Sequence, residues 1–206
     1  MMRVPKYIHL LIDRSGSMRD KDICPSPKIK VLKDIIKNYA IRWQKEDTLP
    51  ENIFGISTFS SNYTLLGTKH VQSSDFNRLL CSLDSVRAQG STNLYCSISQ
   101  CLDDMNNTIE QFSFSGCSIL IIMTDGMETE FNCTLEEINY KKNVLFSMGK
   151  RIYLPVIGIG KEGKKQLEFL DTISEFRVGA DSVEQLYERI MNCIECSVNQ
   201  YINSCK

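Results

Sequence analysis

Apolar residues fall along this chain in two alternating rhythms. Tyr7 to Ile12 is apolar except for His9, the composition of a short strand covered on both faces in a parallel sheet. Ser118 to Met123 repeats that look, and so does Arg151 to Ile159, although Pro155 interrupts it. Proline cannot donate to a ladder, so an edge or irregular position is expected there. Ile53 to Phe59 and Tyr63 to Leu66 predict two strands joined by Ser60-Ser61-Asn62, short enough for an antiparallel hairpin. One more short strand is expected at Glu175 to Val178. The second rhythm is helical. Ile29, Leu32, Ile36, Tyr39 and Trp43 follow Ser26-Pro27, which predicts a serine N-cap with proline at the first helical position. Leu94, Ile98, Cys101, Leu102 and Met105 form a second apolar face, and Leu186, Ile190, Ile194, Val198 and Ile202 a third. Shorter helices are expected around Asp75 to Leu83, Leu135 to Met148 and Lys165 to Thr172. Strands alternating with helices predict an α/β fold: a doubly wound, mostly parallel six-stranded sheet with one antiparallel edge strand and helices on both faces, Rossmann-like in plan.

Composition narrows the function without naming it. The 206 residues suit one domain, 1–206, able to bury a core without staples. Lys and Arg total 24 against 25 Asp and Glu, a net charge of −1, and no block of like charge would draw nucleic acid or an anionic membrane. The N-terminal apolar run, closed by Asp13, is too short and too polar for a signal peptide or a span, so a cytoplasmic protein is expected. In that setting the nine cysteines read as free thiols. Cys193 and Cys196 form a C-x-x-C inside a helical stretch, with no second pair to complete a zinc site, and are expected to pack inertly. His9 and His70 have no motif around them.

The chemistry gathers at strand ends. In "LLIDRSGSMRD" the first strand runs into Asp13, Ser15 and Ser17, three oxygen donors on a turn that Gly16 allows to bend. Thr92 lies in the polar loop Gln89-Gly90-Ser91-Thr92-Asn93, and Asp125 follows the strand at Ser118 to Met123 within Thr124-Asp125-Gly126. Carboxyl ends of parallel strands share one edge, so these segments can meet there. Convergent carboxylate and hydroxyl oxygens suit a hard cation such as Mg²⁺.

The set Asp13-Arg14-Ser15-Gly16-Ser17, a distant Thr92 and a later Asp125-Gly126 resembles the metal-ion-dependent adhesion site (MIDAS) of von Willebrand factor A domains. The order of elements resembles that family over nearly the whole chain. "GSTNL" and "MTDGMETE" look most like the stand-alone bacterial proteins of the tellurium-resistance Y type. The resemblance implies that Ser15, Ser17 and Thr92 ligate the metal directly and that Asp13 and Asp125 act largely through water. It also implies Mg²⁺, with Mn²⁺ or Ca²⁺ as alternatives, and a protein partner whose Asp or Glu fills the open position. Such a module is an adapter and not an enzyme.

Two other readings use the same chain. Gly158, Gly160 and Gly163 spell G-x-G-x-x-G after a strand, with Asp181 at about the offset of a ribose-binding acid, which suits a dinucleotide. Asp13 at a first-strand end could also accept a phosphoryl group, although Ser15 stands where a dehalogenase-like pattern has its second aspartate.

Overall fold

A computed structural model describes residues 4–23, 25–130 and 132–205. The strands are β1 (Lys6–Asp13), β2 (Ile53–Phe59), β3 (Tyr63–His70), β4 (Cys117–Thr124), β5 (Ile152–Tyr153), β6 (Val156–Ile159) and β7 (Arg177–Ala180). The helices are α1 (Lys28–Glu46), α2 (Phe76–Ser82), α3 (Leu94–Gln111), α4 (Leu135–Ser147), α5 (Gly160–Phe169) and α6 (Val183–Ser204). The sheet runs β3-β2-β1-β4-β6-β7, with β5 also on β4. All pairings are parallel except β2 with β3, the expected antiparallel edge. Leu154-Pro155 divides one strand position into β5 and β6, as the proline predicted.

Side chains on the central strands alternate between two cores. Ile8, Leu10 and Ile12 of β1, with Ile119, Ile121 and Met123 of β4, pack beneath α1, α2 and α6. Tyr7, Leu11, Leu120 and Ile122 face the other way, toward α3 and α4. Each core side chain here is fully buried, so truncating one of these leucines or isoleucines to alanine costs about 2–5 kcal/mol. His9 lies on the second face in a polar thread: Tyr7 Oη is 3.0 Å from Nδ1, and Ser57 Oγ is 2.8 Å from Nε2. Gly55 makes room for the ring, since a Cβ there would lie 2.3 Å from His9 Nδ1.

Three expectations need correction. The first helix starts at Lys28 with Pro27 in the cap position, so the proline ends the approach instead of opening the helix. The helix expected at Lys165 begins at Gly160, whose φ of +69° turns the chain directly from β6 into α5. The cysteines are not all thiols: Cys96, in the first turn of α3, is disulfide-bonded to Cys133, just before α4. Cys193 is buried and unbridged and Cys196 half-buried on α6, in keeping with a packing role; Cys24 lies outside the described residues. No described helix is long and apolar enough to cross a membrane.

Candidate metal centre

The carboxyl ends of β1 and β4 lie side by side, Ile12 opposite Met123, where the sheet order reverses between β2 and β4. Connections from the two strands diverge at such a point and leave a crevice. Asp13, the last residue of β1, is completely buried. Its Oδ1 accepts the Ser15 amide at 2.7 Å and its Oδ2 accepts the Thr124 hydroxyl at 2.7 Å, so one carboxylate ties both strand-end loops together. Burial pushes its pKa up to about 6; the neighbouring Asp125 adds to that, and the bonds from Ser15 and Thr124 oppose it.

After Asp13 comes a 3₁₀ turn over Gly16–Arg19, with Ser15 in its cap position and Ser17 inside it. Ser15 Oγ and Ser17 Oγ are 3.1 Å apart, and the Ser17 hydroxyl donates to Asp125 Oδ1 at 2.7 Å. The loop with Thr92 is fixed to this turn by the Gly16 amide on the Gly90 carbonyl at 2.9 Å, and by the Gln89 amide on the Arg14 carbonyl at 2.7 Å. Thr92 reaches the same spot: a Cβ on Gly126 would lie 3.4 Å from Thr92 Oγ1 and 3.7 Å from Ser17 Oγ. Of the five residues singled out in the sequence, Asp13, Ser15, Ser17 and Asp125 are joined through hydrogen bonds in one cluster, and Thr92 Oγ1 lies beside it.

Two members of the neighbourhood were not foreseen. Lys28, the first residue of α1, donates from Nζ to Asp125 Oδ2 at 2.7 Å and pairs with Asp22 Oδ1 at 3.0 Å. Burial works against its charge, but the two carboxylates outweigh that and hold its pKa above the ordinary lysine value. Glu128 is buried, and its Oε2 accepts the Tyr95 amide at 2.7 Å, supplying the α3 N-terminus with the cap that Asn93 does not give. Its Oε1 takes the amides of Thr129 and Glu130 at 3.0 and 2.9 Å, which curls the loop after Asp125 back over Thr92. A lysine in an amphipathic helix reads as a solvated face, and a glutamate in "METE" as a loop acid. Neither carries a motif.

The donor set fits a small hard cation: three neutral hydroxyls and two carboxylates, with no soft ligand among the five. Among the described residues no group of three or more His, Cys, Asp or Glu side chains offers an alternative metal site. The glycines of the G-x-G-x-x-G stretch serve close packing. A Cβ on Gly158 would lie 2.4 Å from the Gly163 carbonyl oxygen, and one on Gly163 would lie 2.6 Å from that of Thr124. These glycines let α5 press closely against β4 and β6. Asp13 is buried, with both carboxylate oxygens engaged in hydrogen bonds.

Residues 8–128 match the sequence profile of the von Willebrand factor type A domain, a span that includes all five site residues. The chain belongs to that family, whose members are typically metal-dependent adhesion or interaction modules. Similar solved structures share the fold at low identity. The von Willebrand factor type A protein from Catenulispora acidiphila has a TM-score of 0.68 at 19% identity, covering 92% of this chain and 42% of that one. The PilB minor pilin from Streptococcus sanguinis, as its D319A mutant, has a TM-score of 0.69 at 12% identity, covering 98% and 64%. Proximal thread matrix protein 1 of the mussel byssus, in a form with a zinc-occupied MIDAS motif, has a TM-score of 0.67 at 18% identity, covering 93% and 47%. The chain thus spans less than two thirds of these proteins. Among curated protein sequences none matches it.

Proposed function

We propose that this domain is a divalent-cation-dependent protein-interaction module. Ser15, Ser17 and Thr92 would hold a hard cation, Mg²⁺ with Mn²⁺ or Ca²⁺ as alternatives, while Asp13 and Asp125 orient these ligands and the waters between. A bound ion would supply an electrophilic point that a carboxylate from a second protein can share. The observation that carries this reading is the meeting of five oxygen-bearing side chains from three separate loops at one strand-end crevice. The mussel protein's zinc-occupied motif supports a divalent ion on this fold. Because the three direct ligands are neutral, the cation would keep most of its charge for an incoming Asp or Glu, which is how an adapter can join two proteins through one ion. The likeness to tellurium-resistance Y-type proteins supports a partner within a bacterial complex. A cytoplasmic setting goes with that likeness, and the oxidation state of Cys96 and Cys133 in the host tests it.

Thermal melts in chelator and in Mg²⁺ or Mn²⁺ test the metal. A ligand of the native state at a hundredfold excess over its Kd stabilises by about 2.7 kcal/mol. Wild type is expected to melt higher with metal, and Asp13→Ala and Asp125→Ala to lose that increment while remaining folded. Equal increments in all three proteins would contradict the assignment.

A further inference from the structure

Lys28 occupies a position that two ordinary rules disfavour. It is the first residue of α1, where the positive end of the helix dipole repels a cation, and its side chain is only 5% exposed. No acidic residue lies in the first turn of α1 to offset it. What holds the ammonium there comes from elsewhere in the chain: Asp125 Oδ2 at 2.7 Å, across 97 positions, and the half-exposed Asp22 at 3.0 Å. Asp125 is thereby divided. One oxygen faces Lys28, and the other, Oδ1, receives the Ser17 hydroxyl that belongs to the metal cluster.

From this arrangement, and resting on the metal reading above, we propose that Lys28 is a built-in counter-charge that makes cation binding depend on an anionic partner. The lysine cancels part of the pull that Asp125 exerts on a dication, so the cation is held weakly by the protein alone. The same positive charge favours a carboxylate arriving at the cation. Cation and carboxylate then each raise the other's affinity by the same factor, as linkage requires. The domain would let its metal go when the partner leaves. Without metal, Lys28 keeps Asp125 from standing as an uncompensated buried charge, so the crevice stays formed.

Mn²⁺ binding followed by electron paramagnetic resonance, with and without acetate as the carboxylate probe, tests the proposal. In wild type, acetate should tighten Mn²⁺ several-fold. Lys28→Gln keeps a donor for Asp125 but no charge. It should bind Mn²⁺ about tenfold more tightly without acetate, as expected for removing a like charge close to the ion, and gain less from acetate. Lys28→Arg should behave as wild type. In chelator Lys28→Gln should melt below wild type, and Mn²⁺ should close most of that gap. If Lys28→Gln does not fold, Asp22→Asn at the half-exposed partner replaces it; by leaving Lys28 less neutralised it should weaken Mn²⁺ several-fold. Wild-type Mn²⁺ binding that neither variant alters, or that Lys28→Gln weakens, overturns the role of Lys28 alone. Absence of Mn²⁺ binding in wild type, or binding that Asp13→Ala retains, overturns the metal reading and this inference together.

Discussion

Thr92 and Thr129 clasp each other across the crevice. The Thr92 amide donates to Thr129 Oγ1 at 2.9 Å, the Thr129 amide donates to the Thr92 carbonyl at 2.9 Å, and the Thr129 hydroxyl donates to that carbonyl at 3.1 Å. A residue outside the metal motif thus fixes the backbone of one inside it. Thr129→Val keeps the shape and deletes the hydroxyl, leaving the Thr92 amide without its acceptor. Stability should fall by about 1 kcal/mol, and metal affinity should fall with it because the Thr92 side chain loses its anchor. Urea denaturation with and without Mn²⁺ would show both effects. A loss of stability with unchanged metal affinity would confine Thr129 to the fold.

Gly163 controls how closely α5 approaches the site. A Cβ there would meet the Thr124 carbonyl oxygen at 2.6 Å and Asp125 Cα at 3.0 Å, both backbone atoms that cannot turn aside. Gly163→Ala should therefore destabilise by about 1–3 kcal/mol, despite alanine's better helix propensity, and displace Asp125. At Gly126 the contacts are 3.4 and 3.7 Å, to side-chain oxygens of Thr92 and Ser17, so Gly126→Ala should be mild for folding and harmful for metal. Denaturant midpoints compared with Mn²⁺ affinities for the two variants separate the roles.

The Cys96–Cys133 bridge joins the helix that follows Thr92 to the loop that follows Asp125, with a sequence separation of 37. Closing a loop of that size removes about 4 kcal/mol of unfolded-state entropy on the chain-entropy model, and measured values run about 2–4 kcal/mol. Reductant should lower the denaturant midpoint of wild type and leave that of Cys133→Ser unchanged. Thiol labelling of protein taken directly from its host should find this pair blocked in an oxidising compartment and free in a reducing one.

His9 gives the stability a pH dependence of definite sign. Burial lowers its pKa to about 3, against an ordinary 6.5 in the unfolded chain. The unfolded state therefore binds the extra proton over that interval, and the contribution of neutral His9, complete above about pH 6.5, is lost as pH falls toward 3. The slope approaches about 1.4 kcal/mol per pH unit. His9→Gln still bonds to polar neighbours but takes no proton, so its urea midpoints between pH 7 and pH 4.5 should fall less steeply than those of wild type. Parallel slopes would mean that other groups carry the acid sensitivity.

Much of this architecture was legible because hydrophobic rhythm and strand-end polarity are local. A six-residue run, apolar except for His9 and ended by Asp13, announces both a buried strand and the place where it stops. Pro155 announced the break between β5 and β6 for the same reason. What escaped depends on distant partners or on cancelling local signals. The start of α5, Gly160-Lys161-Glu162-Gly163, has no apolar stripe, and its glycines read as breakers until the backbones they accommodate are seen. Cysteine pairing cannot be deduced from spacing, and Cys96 on a helix face gave no hint of Cys133. Lys28 and Glu128 look like surface charges, because nothing local reports that Asp125 and the Tyr95 amide will come to meet them.

Water-proton relaxation of the Mn²⁺-loaded domain tests directly for an oxygen-lined metal site with one position open to a carboxylate. Bound Mn²⁺ in wild type should show fast-exchanging waters, and saturating acetate should remove one of them. Asp13→Ala should hold too little Mn²⁺ to give either signal. A water count unchanged by acetate, or equal Mn²⁺ binding by wild type and Asp13→Ala, would rule out such a site.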